Sequence, residues 1–111
     1  MTLLIKNGRV IDPATKQDGV ADVLVRDGKI AKVMPDIQDT ADQTVDAGGC
    51  FVMPGFIDLH VHLRDPGFER KETVGSGAAA AAHGGYTTIV AMPNTKPVVD
   101  NADVVNYVHN K

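Results

Sequence analysis

Five consecutive alanines, Ala78–Ala82, constrain this chain more than any other feature, because of what stands on either side of them. Alanine is the strongest helix former, so Thr73–His83 is predicted to be a helix, stopped by Gly84-Gly85. Directly afterwards comes Tyr86–Met92, rich in β-branched residues, which reads as a strand. Before the helix, Phe56–Leu63 also reads as a strand. In it Ile57, Leu59, Val61 and Leu63 are expected to point one way and Asp58, His60 and His62 the other. Two strands joined by a helix, with only two glycines on the return, make a βαβ unit with parallel pairing. A last helix is expected to begin at an Asp100 cap, with Val104, Val105 and Val108 along one stripe. Residues 56–111 therefore read strand–helix–strand–helix, as in a parallel sheet, open or closed into a barrel.

The first half has another rhythm. Leu3–Ile5, Asn7-Gly8 and Arg9–Ile11 form one strand–turn–strand signal, and Val23–Val25, Asp27-Gly28 and Lys29–Val33 a second. Thr44–Ala47, Gly48-Gly49 and Cys50–Met53 form a third. Asn-Gly and Asp-Gly supply the positive φ that two-residue hairpins need. A small antiparallel layer is expected over residues 1–53, and a new domain over residues 54–111. The change of character falls at Met53-Pro54-Gly55.

The balance of charge removes some functions. With 111 residues, a net charge of −3 and no basic stripe, the chain has no electrostatic footprint for nucleic acid. It has no Trp on which bases would stack. Cys50 is the single cysteine and has no disulfide partner within the chain; it is expected to be a small buried residue in a reducing compartment. Met1–Asp12 is too polar for a signal peptide, and no apolar run nears the ~20 residues that cross a bilayer. A cytoplasmic location without membrane contact is expected.

The chemistry concentrates in Asp58-Leu59-His60-Val61-His62-Leu63-Arg64-Asp65-Pro66-Gly67. Histidines at i and i+2 of a strand share a face with Cα atoms about 6.6 Å apart. Inclined imidazoles close that span to the separation of about 3.3 Å between two nitrogens on a tetrahedral metal. The strand's carboxyl end is where α/β proteins carry their sites. The other reading of His60 and His62 is a surface pair on a sheet edge. Asp58 either orients a histidine ring or forms an ordinary ion pair. Arg64 either grips a carboxylate bidentately or pairs with Asp65 or Glu69. Asn94, after Met92-Pro93 at the end of the second strand, either joins Arg64 on the same anion or is a turn residue. His83 and His109, at helix ends, read as structural.

The segment DLHVHLRDPG, with AMPNT about thirty residues later, resembles the dihydroorotase family of the amidohydrolase superfamily, in its bacterial type I form. FVMPGFID before it is similar as well, and the turn-rich residues 1–52 look like the family's small β-sandwich domain, so the resemblance covers the whole chain. It implies an α/β fold: a small β-sandwich layer over residues 1–53, then the first two βα units of a (β/α)₈ TIM-type barrel over 54–111. It implies that His60 and His62 are ligands of catalytic Zn²⁺, one ion or two. It places His62, Arg64 and Asn94 on the substrate, N-carbamoyl-L-aspartate or (S)-dihydroorotate, whose reversible interconversion belongs to pyrimidine synthesis. A homodimer or a complex with aspartate transcarbamoylase would suit the family.

A full barrel needs about 250 residues. The family's remaining ligands and its catalytic acid–base group have no counterpart among these residues. The expectation is an N-terminal portion with no complete catalytic set, inactive alone, from an active zinc-dependent parent. Allantoinase- or dihydropyrimidinase-like enzymes also begin with a histidine pair, but Arg64 with Asn94 argues for a substrate bearing a carboxylate. A non-catalytic dihydroorotase-like partner of aspartate transcarbamoylase would have no use for His60 and His62.

Overall fold

In the computed structural model, which describes all of Met1–Lys111, the first strand does not turn at Asn7-Gly8. Strand β1 runs unbroken from Thr2 to Asp12. Asn7 has φ +64°, as a hairpin would need, but the positive φ serves a bulge. Ile5 faces Val23 and Gly8 faces Ala21 on β2 (Gln17–Arg26), so Lys6 and Asn7 stand opposite Asp22 alone. Two residues against one is the definition of a β-bulge, which frees a backbone N–H from the ladder.

Asp22 repairs the break. It is 3% exposed, and its carboxylate accepts the N–H of Asn7 at 2.9 Å and that of Ile37 at 2.9 Å. The Lys6 ammonium lies 3.6 Å away. Burial, the largest single influence, pushes the Asp22 pKa up; the two N–H bonds and the Lys6 charge together outweigh it and hold it below the usual carboxylate range. Leu4, Leu24 and Ile37 pack beside this group, and Val10, Ala21 and Val23 form a second small cluster.

The turn at Asp27-Gly28, both at positive φ, is a hairpin as expected, joining β2 to β3 (Lys29–Met34). The third turn is not. β4 (Gln43–Asp46) and β5 (Phe51–Val52) each pair with β1 in parallel and not with each other. The expected antiparallel layer is therefore a mixed five-stranded sheet in one layer. Parallel pairing arises because Gly48–Cys50 only steps the chain along β1: Ala47 N–H bonds to the Lys6 carbonyl and Arg9 N–H to that of Cys50. Cys50, expected to be buried, is exposed, since only its backbone is used here. An apolar recess of about 420 Å³ lies in this unit, lined by Val10, Ile30, Val33, Val52 and Met53 among others.

The chain divides into two compact units, Met1–Pro54 and Gly55–Lys111. In the second, β6 (Phe56–Val61) and β7 (Tyr86–Ala91) pair in parallel, and α1 (Val74–His83) crosses between them and packs on β7. Thr73 caps α1 in a reciprocal capping box with Ser76. The cap of α2 (Ala102–His109) is Asn101, one residue after the expected Asp100. Its Oδ1 accepts from Asp103 and Val104 while its Nδ2 donates to Asp100, a double use that aspartate lacks. The alanine run does not form a close-packed face: α1 has no buried residue.

Strict alternation in β6 also fails. Asp58 faces Ile89 and Val61 faces Ala91, so Leu59 and His60 stand opposite Val90 alone, in a second bulge. Ile57 and Leu59 are 61% and 71% exposed, whereas Leu63, beyond the strand's end, is buried. The loops after the two strands lock together. Lys96 N–H bonds to the Pro66 carbonyl at 3.0 Å, and Gly67, at φ +94°, lies against Lys96 so closely that a Cβ would come 2.1 Å from its carbonyl oxygen. Buried Asp65 accepts from the Tyr107 hydroxyl at 2.9 Å, tying α2 to the same loop.

Two outcomes are expected in urea titrations. Asp22→Ala leaves two N–H groups without their acceptor and costs about 2 kcal/mol. The Asp22 carboxylate has a lowered folded-state pKa, so its contribution is complete above the unfolded value and disappears as pH falls through the folded one. The gap between Asp22→Ala and the unmodified chain should therefore narrow in acid; a gap constant down to about pH 2 would disprove the role given to its charge. Gly67→Ala combines an unfavourable φ with a backbone clash and should cost about 1–3 kcal/mol.

Candidate functional site

Parallel pairing puts the carboxyl ends of β6 and β7 side by side, and the Met92 N–H bonds to the Val61 carbonyl at 2.8 Å just where both strands finish. His60 lies in the bulge at the end of β6, His62 immediately after it, and Asn94 immediately after β7. The imidazole centroids of His60 and His62 are 5.2 Å apart with planes at 65°.

That spacing can be tested against a metal. A nitrogen ligand sits about 2.0–2.1 Å from zinc and the ring centre roughly 1.1 Å farther, so two centroids at the tetrahedral angle lie about 5.2 Å apart. The separation in the chain fits. No group of three or more His, Cys, Asp or Glu side chains that would hold a metal forms in this chain.

The two rings are held differently. Nδ1 of His62 is 2.9 Å from Oδ1 of Asn94, which joins the ends of the two strands. His60 is held through its backbone: its N–H, freed by the bulge, donates to Asp58 Oδ1 at 2.9 Å. The Asp58 carboxylate thus bonds to the peptide of His60 and to neither imidazole. The bulge was hidden in the sequence, where alternation looks the same with or without it; an aspartate two residues before a freed N–H was the available signal.

Arg64 is half-buried in the loop leaving β6, two residues beyond His62. The ion pairs with Asp65 or Glu69 do not form. Asp65 accepts from Tyr107 and Val74, and Glu69 accepts from the Gly67 N–H at 2.7 Å. The structure brings together His60, His62 and Asn94, and no hydrogen bond joins the Arg64 side chain to any of them. Asp65, in sequence a candidate partner of Arg64, is the buried anchor of the loop that carries these residues.

Comparison with known proteins agrees with the motif. The family model described as dihydro-orotase-like matches residues 49–111. A dihydroorotase of Solibacter usitatus is 56% identical over 108 residues, 97% of this chain and 25% of that protein. One of Syntrophotalea carbinolica is 54% identical over 111 residues, 100% of this chain and 26% of that protein. The chain thus spans about a quarter of the length of the curated relatives it matches. Among solved structures, the L-hydantoinase (dihydropyrimidinase) of Arthrobacter aurescens matches with a TM-score of 0.83 and 38% identity, over 95% of this chain and 23% of that one. A D-hydantoinase matches with a TM-score of 0.78 and 34% identity, over 99% of this chain and 24% of that one. These hydantoinases have the amidohydrolase fold, and their likeness extends over both units of the α/β chain described above. With the family model covering more than half of its residues, the chain belongs to the dihydroorotase-like family.

Proposed function

We propose that this chain is the N-terminal part of a zinc-dependent dihydroorotase, which interconverts N-carbamoyl-L-aspartate and (S)-dihydroorotate in pyrimidine synthesis. The observation that carries the reading is the pair of imidazoles, 5.2 Å apart at the carboxyl end of β6, with Asn94 held against one of them. Residues 1–53 would contribute to a small β-sandwich, and residues 54–111 would open a (β/α)₈ barrel, supplying its first two βα units.

His60 and His62 would hold Zn²⁺, one ion or the first of two. When bound, zinc lowers the pKa of water and polarises the ring amide carbonyl. The chain's own residues bind and orient. Arg64 would grip the substrate carboxylate through its planar guanidinium, with the Asn94 amide beside it and His62 lining the same mouth. Asp58 keeps the peptide of His60 in its bulge and so fixes where that ring starts from. The general base belongs to residues outside this chain, which alone is inactive. No helix of the chain is long and apolar enough to cross a membrane, and a cytoplasmic enzyme fits the pathway. A homodimer or an aspartate transcarbamoylase complex would fit it too.

In the complete enzyme, replacing both His60 and His62 by Ala should remove zinc, read by elemental analysis, and abolish turnover. Arg64→Met should lower kcat/KM for dihydroorotate by about 10- to 100-fold, the worth of a charge-assisted hydrogen bond. Activity on hydantoin or dihydrouracil with none on dihydroorotate would replace this reading by a dihydropyrimidinase-like one. Full zinc content after loss of both histidines would remove them as ligands.

A further inference from the structure

We propose that Asn94 is a positioning residue for His62, and that one amide thereby serves the metal side and the anion side of the site at once. A neutral imidazole has one N–H and one lone pair. Asn94 Oδ1 lies 2.9 Å from His62 Nδ1, a normal N–H···O distance, and a carbonyl oxygen only accepts. This pairing requires the ring proton on Nδ1 and leaves the lone pair of Nε2 for a metal. An unconstrained imidazole prefers the opposite arrangement, with the proton on Nε2, so this bond reverses an intrinsic preference.

The same bond orients the amide. With Oδ1 committed to His62, the amino group at Nδ2 points away from the ring and keeps both N–H donors, neither of which bonds within the chain. An exposed pair of donors beside the histidines suits a carboxylate. His60 has no such device: its backbone is held by Asp58, while its ring meets His62 only edge-on. His62 is thus the preset ligand, and His60 is the one that adjusts. The tautomer is a property of the metal-free chain; its purpose rests on the zinc reading given under the proposed function.

Long-range proton–nitrogen correlation spectra of the metal-free, ¹⁵N-labelled chain test the tautomer at about pH 8.5, where ordinary imidazoles are neutral. His62 should be mainly Nδ1–H and His60 mainly Nε2–H, an internal control within one spectrum. Asn94→Ala should return His62 to Nε2–H. Asn94→Asp, which keeps an acceptor oxygen, should preserve Nδ1–H. In zinc titrations followed on the same resonances, Asn94→Ala should weaken binding about 10- to 100-fold, the usual effect of losing a histidine's orienting partner. Asn94→Asp should not weaken it.

An Nε2–H His62 in the unmodified chain, or an Nδ1–H His62 that survives Asn94→Ala, overturns the inference. So does equal zinc affinity with and without the Asn94 amide. Zinc binding with the wrong tautomer sinks the positioning role alone. An Nδ1–H His62 in a complete enzyme that takes up no zinc sinks the metal reading and the purpose given to the tautomer with it.

Discussion

The parallel pairing of β6 with β7 is the constraint on which the site depends. Antiparallel neighbours would put the end of one strand beside the start of the other. Parallel neighbours bring two carboxyl ends to one edge, and the crossover helix is what makes the arrangement affordable in so short a chain. His62 and Asn94 meet because of it, although neither strand includes either residue. The loops beyond them are then fastened by contacts with little freedom: Gly67 against Lys96, the Lys96 N–H on Pro66, and Asp65 between Val74 and Tyr107.

Both units solve the same local problem in the same way. Each has a strand with an extra residue, and each gives the stranded N–H to an aspartate. In β1 the aspartate comes from the strand opposite, as Asp22 binds Asn7; in β6 it comes from two residues earlier, as Asp58 binds His60. A bulge bends and twists its strand and re-aims the side chains in it. In β1 the result is structural, since Asp22 is buried and also fastens Ile37. In β6 the re-aimed side chain is His60.

Much of this was legible in the residues. The helix over the alanine run, the strand after Gly84-Gly85 and the place of His60 and His62 at the end of β6 follow from spacing and propensity. What was hidden has a physical reason in each case. Asn7-Gly8 and Asp27-Gly28 look alike because a bulge and a tight hairpin both ask for positive φ, and only the partner strand decides between them. Gly48-Gly49 looked like a hairpin, yet β4 and β5 found their hydrogen bonds on β1 instead. The bond between His62 and Asn94 spans 32 residues, a distance at which no local pattern speaks. The exposure of Cys50 depends on a connection that uses only its main chain.

His62 and Asn94, 32 positions apart, are joined by one crossover, and this has a consequence for the order of events during folding. Loop-closure entropy rises only slowly with length, so a single crossover of this size closes early compared with contacts of greater sequence separation. During vectorial synthesis the His62 ring can be turned toward Asn94 as soon as Asn94 has left the ribosome. Anything that packs on this unit then meets an imidazole whose orientation is already set, which spares the search for it.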